Sequence, residues 1–305
     1  MKKREIIPLS VGLFFLVIGV TAKIISPAAK TQFLFSLQRK WEAHWPLDTG
    51  RRLPTEVSKL FGPFGPAWVQ VEPGVRMFLD PDDLVSKVIL ENGWWEPNSW
   101  RAVEKHLSAG ATFVDIGAHI GYYTLKAAVV VGPQGRIIAV EPNPDTLPKL
   151  RDNIRASRAT MVTVAPVACS DAEATLEFFS APRSNTGESS LSRTNASQEG
   201  TVKASYHVRA RPLDDIIAES GVSRVDAIKI DVEGAEFLVL KGAQKTLDRY
   251  HPMVLVEVIE PQLQAMGASS AGIVALLRAH GYAARATYGA NVEFDPQAPV
   301  SGKSN

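Results

Sequence analysis

The sequence lacks several features, and each absence excludes a class of protein. Cys169 is the only cysteine among the 305 residues, which excludes an intrachain disulfide and a cysteine-rich metal site. An excess of one charge is also missing, since 33 basic residues face 32 acidic ones. The chain therefore has no overall basic field, and we predict no nucleic-acid partner. Its apolar content of 45% is that of an ordinary globular protein.

Charged residues are absent from one stretch near the N-terminus. Residues 6–22 carry no charge and follow three consecutive basic residues. A run of this length is at the short limit for a bilayer-spanning helix, and the apolar sequence continues past Lys23, which can snorkel. We predict a transmembrane helix within a membrane anchor at residues 1–29. The alternative is a signal peptide that is cleaved after Ala22.

The composition of the rest of the chain changes at several points. Residues 30–66 are predicted to be a polar connector, which ends in a Gly/Pro-rich break. Residues 67–110 are predicted to form a hairpin and an aromatic cap, because all six tryptophans lie before residue 101. The main domain is predicted at residues 111–294, and a disordered tail at residues 295–305.

Short apolar runs alternate with helical stretches throughout the main domain. The predicted strands are Thr112–Ile116, Arg136–Glu141, Met161–Val167, Val225–Ile230 and Met253–Val258. This alternation predicts βαβ units and an α/β, Rossmann-like fold with a mainly parallel sheet, whose ligands bind at the carboxyl edge of the strands. Residues 180–200 are polar and lack apolar periodicity, so we predict a surface loop that is also a candidate lid.

The strongest local pattern is the strand-to-helix turn FVDIGAHIGYYT at residues 113–124. A predicted strand ends near Asp115, passes through Gly117 and enters a helix at Gly121. Glycine lets the backbone approach a ligand closely, and the N–H groups at a helix start point into the same space. The glycine spacing differs from the G-x-G-x-x-G pattern of dinucleotide-binding proteins.

Acidic residues follow the predicted strands at the edge where a ligand would bind. The strand ends supply Asp115, Glu141, Asp231 and Glu233, and they supply no lysine or arginine. Such a cluster repels a pyrophosphate but suits S-adenosylmethionine, which carries a sulfonium and an ammonium and no phosphate. Glu141 ends the second strand, where an acid can accept hydrogen bonds from ribose hydroxyls. We therefore predict S-adenosylmethionine as the cofactor.

The second motif, VDAIKIDVEGAEFLVLKGA at residues 225–243, supplies candidate catalytic groups. Asp231 and Glu233 directly follow a buried strand, and we predict that they lie near the donor methyl group. Glu236 either shares that face or caps the following helix, since acids favour helix N-termini. The acceptor must lose a proton, so the predicted catalytic residues are Asp231, Glu233 and His119. His119 has an equally good structural interpretation, as a satisfied polar group in a tight turn.

A metal is the alternative way to activate an acceptor hydroxyl. Asp231 and a neighbouring acid could bind Mg²⁺ through hard oxygen ligands. The sequence contains no metal-binding signature, and we predict that no metal is bound.

The two motifs together resemble the FkbM family of methyltransferases over about residues 90–285. The segments AVEPN, VACSD and PLDD add to the resemblance. It implies a seven-stranded class I methyltransferase fold, S-adenosylmethionine as donor and typically a hydroxyl as acceptor. Carried onto this chain, it assigns to the cofactor site Asp115, Gly117, Gly121, Glu141, Ala168 and Asp171. Within that set Glu141 would hold the ribose, and Ala168 and Asp171 would lie near the adenine. His119 departs from the asparagine that is more usual at this place in the family.

The predicted function is O-methylation of a hydroxyl on a sugar, a lipid-linked molecule or a secondary metabolite at a membrane surface. Because the cofactor is cytosolic, we predict a single-pass membrane protein whose catalytic domain is cytoplasmic. Two alternatives stay open. An acidic crevice would also suit a membrane-anchored protein lysine methyltransferase, and the fold could be a non-catalytic Rossmann-like scaffold.

Overall fold

The computed structural model of the chain describes residues 26–44, 65–197 and 201–297, which form two compact units. None of the helices in these ranges combines the length and the apolar content that a bilayer crossing requires. The predicted membrane span at residues 6–22 lies outside the described residues.

The smaller unit contains a helix that the sequence did not predict. Its elements are helix α1 (Pro27–His44), most of a hairpin formed by β1 (Ala67–Glu72) and β2 (Val75–Leu79), and helix α2 (Leu84–Asn92). Helix α1 crosses the predicted boundary between anchor and connector at residues 29 and 30. The Thr31 hydroxyl is buried and donates a hydrogen bond to the Gly65 carbonyl at 2.8 Å. This tertiary contact holds α1 in place, and local composition does not reveal it.

The predicted hairpin forms, whereas the aromatic residues of the predicted cap are divided between the two units. In the smaller unit the ring of Trp68 packs edge-on against Phe78, with centroids 5.4 Å apart. In the larger unit Trp100 is buried and packs edge-on against Tyr123, with centroids 5.9 Å apart.

The larger unit begins with residues 72–76 and continues from residue 95 to the end of the described chain. Its strands are β3 (Thr112–Ile116), β4 (Arg136–Val140), β5 (Val162–Ala165), β6 (Ala168–Cys169), β7 (Ala174–Ser180), β8 (Ala204–Arg211), β9 (Ala227–Ile230), β10 (Met253–Glu257), β11 (Tyr282–Tyr288) and β12 (Asn291–Pro296). Its helices are α3 (Pro97–Glu104), α4 (Tyr122–Val131), α5 (Leu147–Ala156), α6 (Arg193–Ala196), α7 (Leu213–Ser220), α8 (Glu236–Lys241), α9 (Gln244–Tyr250), α10 (Glu260–Ala265) and α11 (Ser270–Ala279), with a 3₁₀ helix at Arg183–Glu188.

Seven strands form the main sheet, in the order β11-β12-β10-β9-β3-β4-β5. The five strands from β10 to β5 are parallel, and β12 is antiparallel to β10. The predicted Rossmann-like, mainly parallel seven-stranded sheet is therefore confirmed. Strands β6, β7 and β8, which lie between β5 and β9 in the chain, form a separate three-stranded sheet in the order β6-β8-β7. Asp295 and Pro296, which were predicted to begin the disordered tail, instead pair with β11 in an antiparallel ladder.

The strands at the centre of the sheet are buried along their whole length. Every residue of β3 and β9 is buried, as expected for parallel strands covered on both faces. The segment after β9 forms two short helices, α8 and α9. Helix α8 ends just before Gly242, where a side chain would overlap the backbone carbonyl of Ser170.

The register of four neighbouring strands creates the edge on which the candidate site lies. The residues paired across them are Val140 in β4, Ile116 in β3, Ile230 in β9 and Val256 in β10. One residue further along each chain are Glu141, Gly117, Asp231 and Glu257. Because the strands are parallel, these four residues stand side by side at the carboxyl edge of the sheet.

Candidate functional site

A buried lysine lies among the carboxylates at this edge. The Lys229 ammonium is 3.0 Å from Asp231 Oδ2 and 3.9 Å from Asp115 Oδ1, and it donates a hydrogen bond to the Gly117 carbonyl at 3.1 Å. Burial opposes its charged form, but the carboxylates of Asp231 and Asp115 outweigh burial and raise the pKa of Lys229. The strand ends themselves carry no lysine or arginine, as the sequence predicted, but the Lys229 ammonium reaches the crevice from inside β9.

Asp115 is the most deeply buried acid of the cluster. Its Oδ2 atom accepts a hydrogen bond from the Thr124 hydroxyl at 2.5 Å. Its Oδ1 atom is shut off from solvent and has no hydrogen-bond partner among the described residues. Burial raises the pKa of Asp115, and the charge of Lys229 limits that rise. A buried carboxylate oxygen without a donor is costly, so Asp115 is suited to receive a donor or a cation from a ligand.

Glu141 lies at the end of the second strand, where the sequence predicted it, and holds the glycine-containing turn. Its two carboxylate oxygens accept the backbone N–H groups of His119 at 2.7 Å and Asn143 at 2.8 Å. Burial raises the pKa of Glu141 to about 7, although these two hydrogen bonds act in the opposite direction.

The two glycines of the first motif are required by the packing of the chain itself. Gly117 has a φ of +78°, and a Cβ atom there would overlap the backbone carbonyl oxygen of Asp231. Gly121 has a φ of +92°, and a Cβ atom would lie 2.7 Å from Leu150 Cδ1. Close approach to a ligand was the predicted reason for these glycines, and the close approach seen here is to neighbouring protein atoms.

Three carboxylates converge at the ends of β9 and β10. One oxygen each from Asp231, Glu233 and Glu257 lies within 4.8 Å of the other two. The Asp231 side chain is 24% exposed, whereas that of Asp115 is 1% exposed, so of these two acids Asp231 is the one that an acceptor can reach. Burial and then the charge of Asp231 raise the pKa of both Glu233 and Glu257 well above the usual range. Glu257 was not predicted as a site residue.

The turn after β9 is held by the polar segment that was predicted to be a surface loop. The Glu233 backbone has a φ of +56°, and its carbonyl accepts hydrogen bonds from Ser190 Oγ at 2.7 Å and Asn195 Nδ2 at 2.8 Å. Gln262 Nε2 donates to Glu233 Oε2 at 2.5 Å. Ser190 and Asn195 are buried, so this part of the segment is packed against the site. Hydrogen bonds hold it in place, so its packing leaves no apolar periodicity in the sequence.

Glu236 lies in the first turn of α8, but its side chain binds the preceding turn and does not cap the helix. Its Oε1 atom accepts the backbone N–H groups of Val232 at 3.1 Å and Gly234 at 3.0 Å. Burial raises its pKa to about 7. Glu236 therefore fixes the shape of the turn that carries Glu233.

His119 lies on the Glu141 side of the edge. Its backbone has a φ of +50°, and its ring nitrogen Nε2 is 2.7 Å from the Thr186 hydroxyl in the 3₁₀ helix. A catalytic role for His119 stays a prediction.

The two residues predicted near the adenine lie on and beside β6. Ala168 is buried and packs against Phe178 and Val208 in the three-stranded sheet. Asp171 forms an ion pair with Lys241, and this hydrogen-bonded contact lowers the pKa of Asp171. Their role toward a cofactor stays a prediction.

Glu96 is a further acid that the sequence did not suggest as a site residue. It accepts hydrogen bonds from the Tyr123 hydroxyl and from Asn291 Nδ2, each at 3.0 Å. Burial raises its pKa, and the charge of Asp231 adds to the rise.

Three site residues were not predicted, and the sequence holds different information on each. Lys229 is a charged residue inside an apolar strand, which could have indicated a site residue, and Glu257 could have been found from the register of β10 with β9. The contact of Glu96 with Asn291 joins residues too distant in sequence to leave a local pattern.

Comparison with known proteins identifies a family and several distant relatives. Residues 115–284, more than half of the chain, match the family described as Methyltransferase FkbM domain. The hexuronic acid methyltransferase AglP of Haloferax volcanii is 26% identical over 144 residues, which cover 47% of this chain and 54% of that protein. The AMB antimetabolite synthetase AmbE of Pseudomonas aeruginosa is 29% identical over 206 residues, covering 58% of this chain and 10% of that protein. The match thus spans a tenth of one relative and about half of the other.

Among solved structures, the methyltransferase FkbM of Methylobacillus flagellatus aligns with 61% of this chain and 44% of its own. The sequence identity is 18% and the TM-score is 0.40.

Proposed function

Because this chain belongs to the FkbM methyltransferase domain family, we propose that it transfers a methyl group from S-adenosylmethionine to a hydroxyl. The observation that carries the proposal is the row of acids at the carboxyl edge of the sheet, with Lys229 as its buried cation. This row divides into a donor half on β3 and β4 and an acceptor half on β9 and β10.

The donor half fits the charges of S-adenosylmethionine. The Oδ1 atom of Asp115, which accepts no hydrogen bond from the described residues, suits an ammonium, and Glu141 lies where it can accept ribose hydroxyls while it holds the turn. A phosphate-bearing nucleotide fits poorly, because these acids outnumber Lys229. When bound, S-adenosylmethionine supplies the methyl group, and the electron pair of the broken carbon–sulfur bond stays on sulfur.

The acceptor half supplies the groups that orient a hydroxyl and take its proton. Lys229 forms an ion pair with Asp231 at the edge of the sheet. Glu236 accepts a backbone N–H of the next turn and so fixes the position of Glu233. The acceptor oxygen forms the new bond to the methyl carbon, and its proton passes to a carboxylate oxygen of Asp231 or Glu233. Positioning and exclusion of water contribute most of the rate enhancement in such a site.

A hydroxyl on a sugar, lipid-linked or other small-molecule acceptor is the proposed substrate class. The relative named as a hexuronic acid methyltransferase supports a sugar hydroxyl. The acidic acceptor half would also suit an amine, as in a protein lysine methyltransferase.

The purified chain should be incubated with labelled donor and with separated glycan, lipid and protein fractions of a lysate. Label in the glycan or lipid fraction supports the proposal, and label that is confined to protein lysine would contradict it. A non-catalytic scaffold would label none and would not bind the donor.

Substitution of Glu141 is expected to weaken donor binding. Glu141→Ala removes the proposed charge-assisted hydrogen bonds to ribose, a loss of about 1.5–3 kcal/mol or roughly ten- to a hundredfold in Kd. Calorimetric titration with S-adenosylhomocysteine measures this loss. Glu173→Ala, which removes an exposed acid paired with Arg209, is the control and should bind normally. Unchanged affinity in a folded Glu141→Ala protein would mean that the ribose is held elsewhere.

The raised pKa of Glu141 predicts that donor binding releases protons. Folding raises this pKa from 4.5 to about 7, so the folded protein retains a proton that the unfolded chain has lost. The contribution of Glu141 to stability therefore falls as the pH rises between these values. Ribose hydroxyls favour the ionised carboxylate, so binding near pH 6.5 should release part of a proton and strengthen as the pH rises. Calorimetry in two buffers of different ionisation enthalpy measures the release, which Glu141→Ala should abolish. Tight binding of the unsubstituted protein without proton release would contradict the assignment.

Residues 6–22 are proposed to tie the catalytic domain to the cytoplasmic face of a membrane. Removal of residues 1–25 should move the protein from the membrane pellet to the supernatant and leave S-adenosylhomocysteine binding unchanged within about twofold. The cut precedes α1, because Lys30 and Thr31 are buried and deletion to residue 30 would remove part of that helix. A full-length chain that is already in the supernatant, with residue 1 intact by mass spectrometry, would contradict the anchor. Loss of residues 1–22 from the mature protein would favour the signal peptide.

A further inference from the structure

We infer that Asp231, Glu233 and Glu257 form a binding site for a divalent cation of the hard class, such as Mg²⁺ or Mn²⁺. The sequence predicted no metal, and the convergence of these three carboxylates was not visible in it. The inference rests on the proposed function for its chemical role, and it stands on geometry for the site itself.

The spacing of the three carboxylates matches the coordination of one ion. One oxygen from each residue lies within 4.8 Å of the other two. Hard cations bind oxygen at about 2.0–2.6 Å, so two ligands of one ion lie at most about 5 Å apart. Carboxylate oxygens are the side-chain ligands that Mg²⁺, Mn²⁺ and Ca²⁺ prefer. Asp231 and Glu257 come from adjacent parallel strands in register, so the sheet itself sets the distance between them.

The second observation is an oxygen atom that has no partner in the described protein. Glu257 Oε2 is shut off from solvent and accepts no hydrogen bond from the described residues. A carboxylate in this state requires a cation or a donor, because burial without one carries a large desolvation penalty. The other oxygens of the cluster are those of Asp231 and Glu233, which are acceptors when ionised and in that state donate nothing to Glu257.

The side chains that contact this cluster supply too little positive charge to balance it, so the group that it lacks is a cation. Lys229 contacts Asp231 through Oδ2, and Gln262 donates to Glu233 Oε2, so each of these residues has one oxygen engaged. One lysine and one amide do not balance three carboxylates. A divalent ion supplies the missing positive charge, and its other coordination positions are open to water or to an acceptor hydroxyl.

The position of the site gives the ion a function in the proposed reaction. It lies in the acceptor half, at the ends of β9 and β10, where the hydroxyl must approach. A divalent cation lowers the pKa of a hydroxyl that contacts it and fixes its orientation. A weaker base can then take the proton of the hydroxyl. This suits Asp231 and Glu233, because each already has one oxygen engaged by another side chain.

Metal binding by the purified full-length chain tests the inference without an assay of activity. After treatment with a chelator and its removal, Mn²⁺ is titrated and the free ion is measured by electron paramagnetic resonance, with Mg²⁺ as competitor. The unsubstituted protein should bind one Mn²⁺ that Mg²⁺ displaces. Glu257→Gln should weaken binding at least tenfold. Glu96→Gln is the matched control, because Glu96 is also a buried acid in the field of Asp231 but has both oxygens engaged by Tyr123 and Asn291. It should bind Mn²⁺ within about threefold of the unsubstituted protein.

Thermal unfolding shows whether the variant is folded. In chelator, Glu257→Gln should unfold at the same temperature as the unsubstituted protein or higher, because it removes a buried negative charge. Added Mg²⁺ should raise the unfolding temperature of the unsubstituted protein and not that of Glu257→Gln.

A folded protein that binds S-adenosylhomocysteine but not Mn²⁺ would overturn the inference and leave the proposed function standing. Mn²⁺ binding without S-adenosylhomocysteine binding would support the metal site and overturn the proposed donor. An equal loss in both glutamine variants, or binding that Glu257→Gln does not weaken, would place the ion elsewhere, for example at His106, Glu293 and Asp295, and overturn the assignment.

Discussion

Asp231→Asn is expected to lower the rate of methyl transfer on the order of a hundredfold or more, with donor affinity changed by no more than a few-fold. Asparagine keeps the size of the side chain but loses the negative charge and the ability to take a proton. Asp231 lies in the proposed acceptor half, whereas the residues proposed to hold the donor, Asp115 and Glu141, belong to the other strands. Its loss should therefore appear in turnover and not in S-adenosylhomocysteine binding.

The same substitution has a cost in stability that must be separated from its effect on the reaction. Lys229 is buried and loses its closest carboxylate, which lies at 3.0 Å. Removing one partner of a buried ion pair costs about 3–5 kcal/mol, and the contacts of Lys229 with Gly117 and Asp115 keep the expected loss at or below that range. Single-turnover rates should therefore be measured with saturating donor, at a temperature where circular dichroism shows the variant to be folded.

Asp226→Asn is the matched control for this experiment. Asp226 is one residue before β9, at the end of the strand opposite to Asp231, where it pairs with Arg224 and accepts the backbone N–H of Thr112. This variant loses an acid from the same segment and should turn over within about twofold of the unsubstituted protein. Normal turnover of Asp231→Asn would remove Asp231 from the catalytic residues. An equal loss of donor affinity and rate would move it to the donor site.

The second large effect is expected at the glycine where the two halves of the site meet. Gly117→Ala should destabilise the protein by more than about 4 kcal/mol, or prevent folding, because two penalties combine. Alanine is strained at a φ of +78°, and its Cβ atom would overlap the Asp231 carbonyl. The atom that would be overlapped belongs to the backbone directly after the buried strand β9, so a small side-chain movement cannot relieve the overlap.

Gly110→Ala separates the two penalties. Gly110 has a φ of +83°, nearly that of Gly117, but no atom lies within 4 Å of the position that its Cβ would occupy. We expect a loss of about 1–2 kcal/mol there, from backbone strain alone. Denaturant unfolding of both variants gives the difference, which measures the overlap at Gly117. Equal losses at the two positions would show that β3 and β9 can move apart without a large penalty.

The sequence predicted the part of the site that follows from local pattern and a general rule of parallel sheets. Apolar runs located β3, β4, β9 and β10, and the rule that parallel strands share a carboxyl edge brought Asp115, Glu141, Asp231 and Glu233 together. The position of each acid within three residues of the end of a strand was enough, because the parallel sheet brings those ends together.

Residues whose role depends on register or on distant contacts could not be predicted in this way. The role of Lys229 could not be predicted, because a single lysine in an apolar strand does not show which groups surround it. Its partner Asp115 is identified only by the register in which β3 and β9 pair. Glu257 needed the pairing of β10 with β9. The buried contacts of Ser190 and Asn195 with the Glu233 carbonyl belong to a polar segment without periodicity, where hydrogen bonds replace the apolar signal.

The contact between Gly117 and Asp231 also bears on how such a protein can change over generations. The donor half of the site comes from residues 115–141, and the acceptor half from residues 231–257, so the two tasks are encoded in separate stretches of the gene. The atoms that meet at their junction are a glycine and a main-chain carbonyl, and every amino acid at position 231 retains that carbonyl. A substitution that alters the acceptor side chain at this position therefore leaves the junction sterically intact. Acceptor preference can diverge in one stretch of the gene while the donor site in the other is inherited unaltered.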